Sequence, residues 1–445
     1  MLGTGDWDGV LVDCLESNPH WMVSGGNNRS IDPDRSNTPT PGDPSESYAV
    51  FDAAWNAGGV AYGEALRAGA PDAVFIGNGN MLNYAMNGNV FEEFPNAGTP
   101  LASWQTAIVG PYDSSRASYL DWCANAYQPP VTLIQGYGAS DNYQLMRYTL
   151  CTALMGDGSY AYDLSSSGHA RNGLYWFDEY DNAGVGQGYL GQPVGKARQG
   201  SLTTPDLLLG DGLFATPAQF AAWEFASAGD VVGSAALDSG AARITVTVDG
   251  QSYDGEFIHP VDVVADTSYT VSFTARCTME RVVSVYLHPT SDAVDALEEK
   301  QYISIGEDVR RFMLTFTPTS GDIPAYIRFA LGAEIDTVWI DDVRVQEGPA
   351  PAVYQRDYEY GTVLVNPDSV PHDVPLDSTY YRISGAQDSS VNSGAAVTSV
   401  SVPPLDGVIL LSQPTESGTA WNTRGVSDSA WNSRPPSSSL WMKGT

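Results

Sequence analysis

The order of hydrophobic periods along the chain constrains its fold more than any other feature. Up to about residue 217, short unbroken apolar runs alternate with longer segments of helical spacing. From about 218 the helical spacing fades and short alternating runs take over. The unbroken runs lie at 10–13, 73–77, 90–92, 131–135 and 160–163. Runs of this kind suit strands buried on both faces, as in a parallel sheet. Between them, 48–68, 119–126 and 143–155 carry apolar residues at helical intervals, among them Leu145, Tyr148, Leu150 and Leu154. Repeated β-then-α order implies helical crossovers. The expected class is therefore α/β followed by all-β: a partial TIM-type β/α barrel over 1–217, a β-sandwich over 218–349, a small β domain over 352–413 and a Ser/Pro-rich tail over 414–445. Five strands are fewer than the eight that close a barrel. Counted backward, 10–13 would be the fourth, so this reading expects three strands ahead of Met1.

Charge and cysteine usage exclude several functions. The formal net charge of −32 would repel phosphates, so nucleic acid and anionic membranes are not expected partners. The same balance suits a generic acidic secreted protein or one from salty surroundings, where counterions screen self-repulsion. No apolar run approaches about 18 residues, so no membrane span is expected. The first residues carry no basic flank or apolar core, hence no signal peptide is read. Cys14, Cys123, Cys151 and Cys277 lack zinc-ligand spacing and are too sparse for a disulfide framework, although one disulfide is open. The five histidines form neither an H-E-x-x-H motif nor a triad spacing, and the paired glycines lack a P-loop lysine.

Chemistry concentrates at the strand ends. Asp13 ends the first run, and Glu92, with Glu93 beside it, ends the third. In a parallel barrel, strand carboxyl ends face the active-site mouth, and two acids there can hydrolyse a glycosidic bond. The alternative for Asp13 is an ordinary turn residue, and for Glu92 and Glu93 a solvated acidic loop. Glu92 continues its strand and is expected to face the mouth, with Glu93 turned away. Asn78, Gln135 and Asp163 end other runs and are candidate substrate contacts. Trp176 and Asp178, in the aromatic cluster 175–180, form a sugar-binding rim or a core plug. Trp104, Trp176 and Tyr175 are candidates for the apolar wall that raises an acid's pKa.

The segments Trp7-Asp8-Gly9-Val10-Leu11-Val12-Asp13 and Asn87-Gly88-Asn89-Val90-Phe91-Glu92-Glu93-Phe94-Pro95 resemble motifs of uncharacterised barrel-type glycoside hydrolases. Segments 176–180, 360–367 and 406–411 agree in the same order. The resemblance implies Asp13 and Glu92 as the active-site carboxylates, without saying which is the acid, and needs no cofactor for catalysis. Segment 218–349 is then an insertion similar to jelly-roll carbohydrate-binding modules, starting at Trp223-Glu224-Phe225 and ending at Trp339-Ile340-Asp341-Asp342-Val343. Such modules imply a structural Ca²⁺, for which Glu224, Asp341 and Asp342 are the candidate ligands. Tyr253, Phe257, Tyr286 and Tyr302 are candidate glycan contacts there. The expected partner is a poly- or oligosaccharide and the expected location extracellular or cell-surface. The alternative is a non-catalytic glycan-binding or extracellular structural protein.

Overall fold

The computed structural model describes residues 8–17, 19–22, 48–79, 81–110, 116–164, 175–202, 204–279, 281–289, 300–319 and 322–414. The chain divides into two compact units, Met1–Gly200 with Ala352–Thr445, and Ser201–Pro351. In the first unit β1 (Gly9–Val12), β2 (Val74–Asn78), β3 (Gly88–Glu92), β4 (Leu133–Gly138) and β5 (Ser159–Leu164) form a sheet in that order. Every neighbouring pair is parallel. All five sequence runs thus become strands. Among the described residues the sheet is open, with β1 and β5 as edges, and no closed barrel forms.

Helices α1 (Tyr48–Gly69), α2 (Leu101–Trp104), α3 (Tyr119–Asn125) and α4 (Tyr143–Leu154) follow β1, β3 and β4, and α5 (Asp178–Asp181) follows β5. Among the described residues the β2–β3 connection carries no helix. It lies instead against α1, at Gly59 and Gly63, one turn apart. A Cβ at Gly59 would overlap Met81 Sδ, and one at Gly63 the Asn83 amide. Asn83 Nδ2 in turn donates to the Gly59 carbonyl at 3.0 Å. The buried side of α1 is therefore Phe51 with these two glycines, and Val50 points to solvent. On α4 residues 146–153 are all buried, so the expected single apolar face becomes burial on every side over those two turns. Its two buried threonine hydroxyls donate back one turn, Thr149 to the Leu145 carbonyl and Thr152 to that of Tyr148, which satisfies them without water.

After the short strand β6 (Arg198–Gln199), the second unit is all β: β7 (Glu224–Ser227), β8 (Val232–Asp238), β9 (Ala241–Val248), β10 (Gly255–Val263), β11 (Tyr269–Cys277), β12 (Arg281–Pro289), β13 (Gln301–Ile305), β14 (Arg310–Phe316), β15 (Asp322–Ala330) and β16 (Thr337–Glu347). They form two five-stranded antiparallel sheets, ordered β13-β12-β15-β10-β7 and β14-β11-β16-β9-β8. The inward residues of both, including Phe257, Val285, Ile327, Phe273 and Ile340, make one core. Trp223 seals an end of it, stacked on Phe257 at 4.8 Å. This is the sandwich expected from alternating runs.

The last strands are β17 (Tyr354–Tyr358), β18 (Gly361–Asn366), β19 (His372–Arg382), β20 (Ala396–Val402) and β21 (Asp406–Leu411), in a six-stranded sheet ordered β20-β19-β21-β18-β17-β6. The sequence reading made 352–413 a separate domain. The structure places it in the first unit instead: Val363, Val365, Ile409 and Leu411 share one core with Phe91, Ile134 and Leu150. Gly407 is needed for this packing, because a Cβ there would press on Cys151 Sγ. The tail from 415 onward lies outside the described residues.

Candidate active site

Asp13 directly follows β1, Asn78 and Glu92 end β2 and β3, Asp163 is the last residue but one of β5, and Gln135 lies inside β4, three residues before its end. The register pairs Val12 with Gly77, Asn78 with Val90, Glu92 with Gln135 and Tyr137 with Asp163. Because side chains alternate between faces with a period of two, these pairings put all five on the same face. The opposite face carries Phe75, Phe91 and Ile134 into the core.

Hydrogen bonds join them in two groups. Asn78 Nδ2 donates to Asp13 Oδ1 and to Glu92 Oε2, both at 3.0 Å. Gln135 Nε2 donates to Asp163 Oδ2 at 2.7 Å. Gln135 Oε1 is buried and finds no partner among the described residues, leaving an acceptor for a donor from outside the protein. The two acids end their strands in the same manner. The next residue in each case turns left-handed, Cys14 with φ 55° and Glu93 with φ 53°. For a non-glycine residue this conformation costs about 1–2 kcal/mol, and such strain collects at functional sites. It ends each strand at its acid and turns Glu93 off the strand direction. Asp13 Oδ1 also accepts the Cys14 backbone N–H at 2.9 Å. The field here is negative: the Asp13 carboxylate first, then desolvation, Glu16 and Glu92, pushes the Cys14 thiol above its usual range.

The other expected contacts are placed differently. Trp176 is 46% exposed and packs edge-on against Tyr180, and Tyr175 is also exposed. Trp104 is fully buried and donates to Thr152 Oγ1, so it is a core residue and forms no wall to the acids. Asp178 Oδ2 accepts the backbone N–H groups of Ala386 and Gln387 at 2.7 and 2.9 Å, which makes it a tether to that loop. His20, in the polar, aromatic loop after Asp13, is held by Asp52 through Nδ1 at 2.6 Å. None of the four cysteines is joined in a disulfide among the described residues.

In the sandwich the calcium candidates do not come together. Glu224 pairs across β10 in one sheet, whereas Asp341 and Asp342 lie on β16 in the other. Asp342 is neutralised by Arg311 at 2.6 Å and Arg344 at 2.9 Å. Among the described residues no group of three or more His, Cys, Asp or Glu is arranged to hold a metal, so these residues do not fit the ion. Of the aromatics, Tyr253 and Tyr302 are exposed, while Phe257 and Tyr286 are buried. On the outward face of the β13-β12-β15-β10-β7 sheet, Glu256 accepts from Tyr286 Oη and Arg328 Nη1, and Lys300 Nζ lies 4.2 Å over the Tyr286 ring. Sequence reading missed Glu256, Ser284, Lys300 and Arg328, because only strand pairing shows that they share this face.

No protein-family model matches the chain, and no curated protein matches it. Solved structures do. One is a CBM4 structure, 25% identical, covering 31% of this chain and 98% of that chain with a TM-score of 0.29. Another is the N-terminal cellulose-binding domain of Cellulomonas fimi β-1,4-glucanase C, 17% identical, covering 35% of this chain and 97% of that one, with a TM-score of 0.26. A third is an arabinose-bound MgGH51 α-L-arabinofuranosidase, 16% identical, covering 33% of this chain and 27% of that one, with a TM-score of 0.27.

Proposed function

We propose that this chain hydrolyses glycosidic bonds with Asp13 and Glu92 as its two carboxyl groups. One observation carries the reading: a single amide nitrogen, Asn78 Nδ2, donates to both acids at 3.0 Å. Two oxygens so held are at most about 6 Å apart, below the roughly 6.5–9.5 Å that leaves room for a water and close to the 5–5.5 Å of direct attack. One carboxylic acid protonates the leaving oxygen while the other carboxylate attacks the anomeric carbon. Water then releases the sugar with its configuration retained. Gln135 and Asp163 continue the row and would receive sugar hydroxyls, with the unpartnered Gln135 Oε1 as an acceptor.

The inclination of the row supports the partial-barrel reading. It advances by two residues from Asn78, which pairs with Val90, to Glu92, and by two more from Gln135, which pairs with Ala161, to Asp163. Averaged over the sheet, that is about one residue per strand, the stagger of an eight-stranded barrel of shear eight. An extracellular or cell-surface location follows from a polysaccharide substrate. No helix among the described residues is long and apolar enough to cross a membrane.

The test is product stereochemistry. The chain is incubated with a panel of neutral polysaccharides and aryl glycosides, and the first-formed anomer is read by proton NMR. Release with retained configuration is expected. An inverted first product, or no release from any member of the panel, overturns the proposal.

A second reading, glycan binding without turnover, is favoured by the outward face of the first sandwich sheet. Ser284 Oγ and Arg328 Nε are buried there without partners among the described residues, beside Tyr302 at 71% exposure. Buried polar atoms left unanswered by the protein imply an outside ligand. Affinity electrophoresis through gels containing soluble polysaccharide is expected to show retardation that Tyr302→Ala weakens several-fold. Equal migration of the variant would count against this face.

A further inference from the structure

We propose that the outer face of the other sandwich sheet, β14-β11-β16-β9-β8, holds a separate groove that binds a neutral sugar ring; this rests on the reading of the chain as glycan-active. The groove has a volume of about 250 Å³ and is lined by Asp238, Thr274, Arg276, Val309, Trp339 and Asp341. Its size falls just below the usual small-molecule range of roughly 300–1,000 Å³, on the scale of one sugar unit.

The register explains how these residues meet. Trp339 on β16 faces Arg276 on β11 on one side and Arg243 on β9 on the other. The Arg276 guanidinium lies 3.7 Å from the centre of the indole. Trp339 Nε1 donates to Asp238 Oδ2 at 3.0 Å, and Arg243 reaches the same carboxylate at 3.8 Å. The indole is thus fixed at its edge and along one face before any ligand arrives. Arg276 makes no hydrogen bond among the described residues, so its planar fork of N–H donors faces the groove unanswered. Asp341 is half-buried, and burial pushes its carboxyl above the usual range. One of its oxygens accepts the Asp342 N–H at 2.7 Å.

The chemistry of the lining selects the ligand class. Two carboxylates disfavour an anion, and the Arg276 guanidinium, with Arg243 beside Asp238, disfavours a cation. A hydroxyl both donates and accepts, so a polyhydroxylated ring can accept from Arg276 and donate to Asp341 and to Thr274 Oγ1, whose own proton goes to the Asp341 carbonyl at 3.3 Å. The apolar surface of Trp339 and Val309 suits the C–H face of such a ring.

The experiment uses the full chain carrying Asp13→Asn and Glu92→Gln, so that no probe is consumed. Cellohexaose, xylohexaose, mannohexaose and laminarihexaose are titrated in turn. Binding is followed by calorimetry and by the Trp339 indole N–H resonance, assigned through Trp339→Phe. A saturable shift of that resonance is expected with at least one probe, and Arg276→Ala and Asp341→Asn should each weaken it at least tenfold. Both substituted positions lie at the surface, so the fold is expected to persist, which circular dichroism checks. If a probe binds by calorimetry while the Trp339 resonance stays still, or shifts equally in both variants, the groove is refuted and the glycan reading stands. If no probe binds at all, both fail together.

Discussion

Glu92→Gln is expected to lower turnover by at least about 1,000-fold, or about 4 kcal/mol of transition-state stabilisation, with KM changed little. The amide is isosteric with the carboxyl, and its oxygen can still accept the Asn78 N–H that Glu92 accepts at 3.0 Å. The substitution therefore keeps the row in place while removing the charge and the proton. Asp13→Asn keeps the corresponding bond from Asn78 and should be as damaging. The two variants separate the roles. A dinitrophenyl glycoside needs no protonation of its leaving group, so the variant lacking the acid regains its first step on that substrate. The variant lacking the nucleophile does not. The measurement is kcat and KM on an oligosaccharide and on the dinitrophenyl glycoside. A kcat within threefold of the unsubstituted chain for either amide variant would end the two-carboxylate reading.

The row was legible in the sequence because a strand end is a local fact. An apolar run that stops at a polar residue marks both the strand and the side chain at its mouth, and Asp13, Asn78, Glu92 and Asp163 stand at or next to strand ends; at Gln135 the apolar run stops but β4 continues to Gly138. What joins them was not legible. The bridge through Asn78 depends on strand order and register, which no single run encodes. Asp178 shows the same limit from the other side: its partners Ala386 and Gln387 are 208 and 209 positions away, so an acid in an aromatic cluster looked like a binding residue. The adjacent Asp341 and Asp342 looked like paired ligands. The irregularity opposite them on β11 and the left-handed φ of 46° at Asp342 break the simple alternation, and two arginines then claim Asp342. In the sandwich, β9, β11, β12, β14, β15 and β16 announced themselves by alternation. β10 did not, because Glu256 and His259 are buried alongside Phe257 and Val261, and Pro260 interrupts the pattern. On α1 the contact surface is made of Gly59 and Gly63, and a hydrophobicity pattern cannot detect the absence of a side chain.

The merging of 352–413 with the first unit has an energetic centre at Arg147, and Arg147→Met is expected to destabilise that unit by about 3–5 kcal/mol. Arg147 lies on α4 and is 2% exposed. Its Nε and Nη2 donate to the two oxygens of Asp406, each at 2.9 Å, and Nη1 donates to Asp388 Oδ2 at 2.7 Å. Glu179 Oε1 lies 3.8 Å away and accepts from Asn392 Nδ2. Removing the guanidinium leaves Asp406 and Glu179 buried without their cation. Burial pushes both carboxyls up, and Arg147 opposes that push. Without Arg147 both should rise further. A carboxyl raised in the folded state contributes stability that is present below its unfolded value, near 4, and lost as pH rises through the folded value. The deficit of Arg147→Met should therefore be greatest at pH 7 and shrink as pH falls toward 5. Amide hydrogen exchange in α4 is the appropriate readout, since it reports the opening of this unit rather than of the sandwich. The double substitution Arg147→Met with Asp406→Leu should recover part of the loss, because one stranded charge goes with its partner. A deficit under about 1 kcal/mol, or one equal at pH 5 and pH 7, would mean that apolar packing alone, through Val363, Ile409 and Leu411, holds these strands to α4.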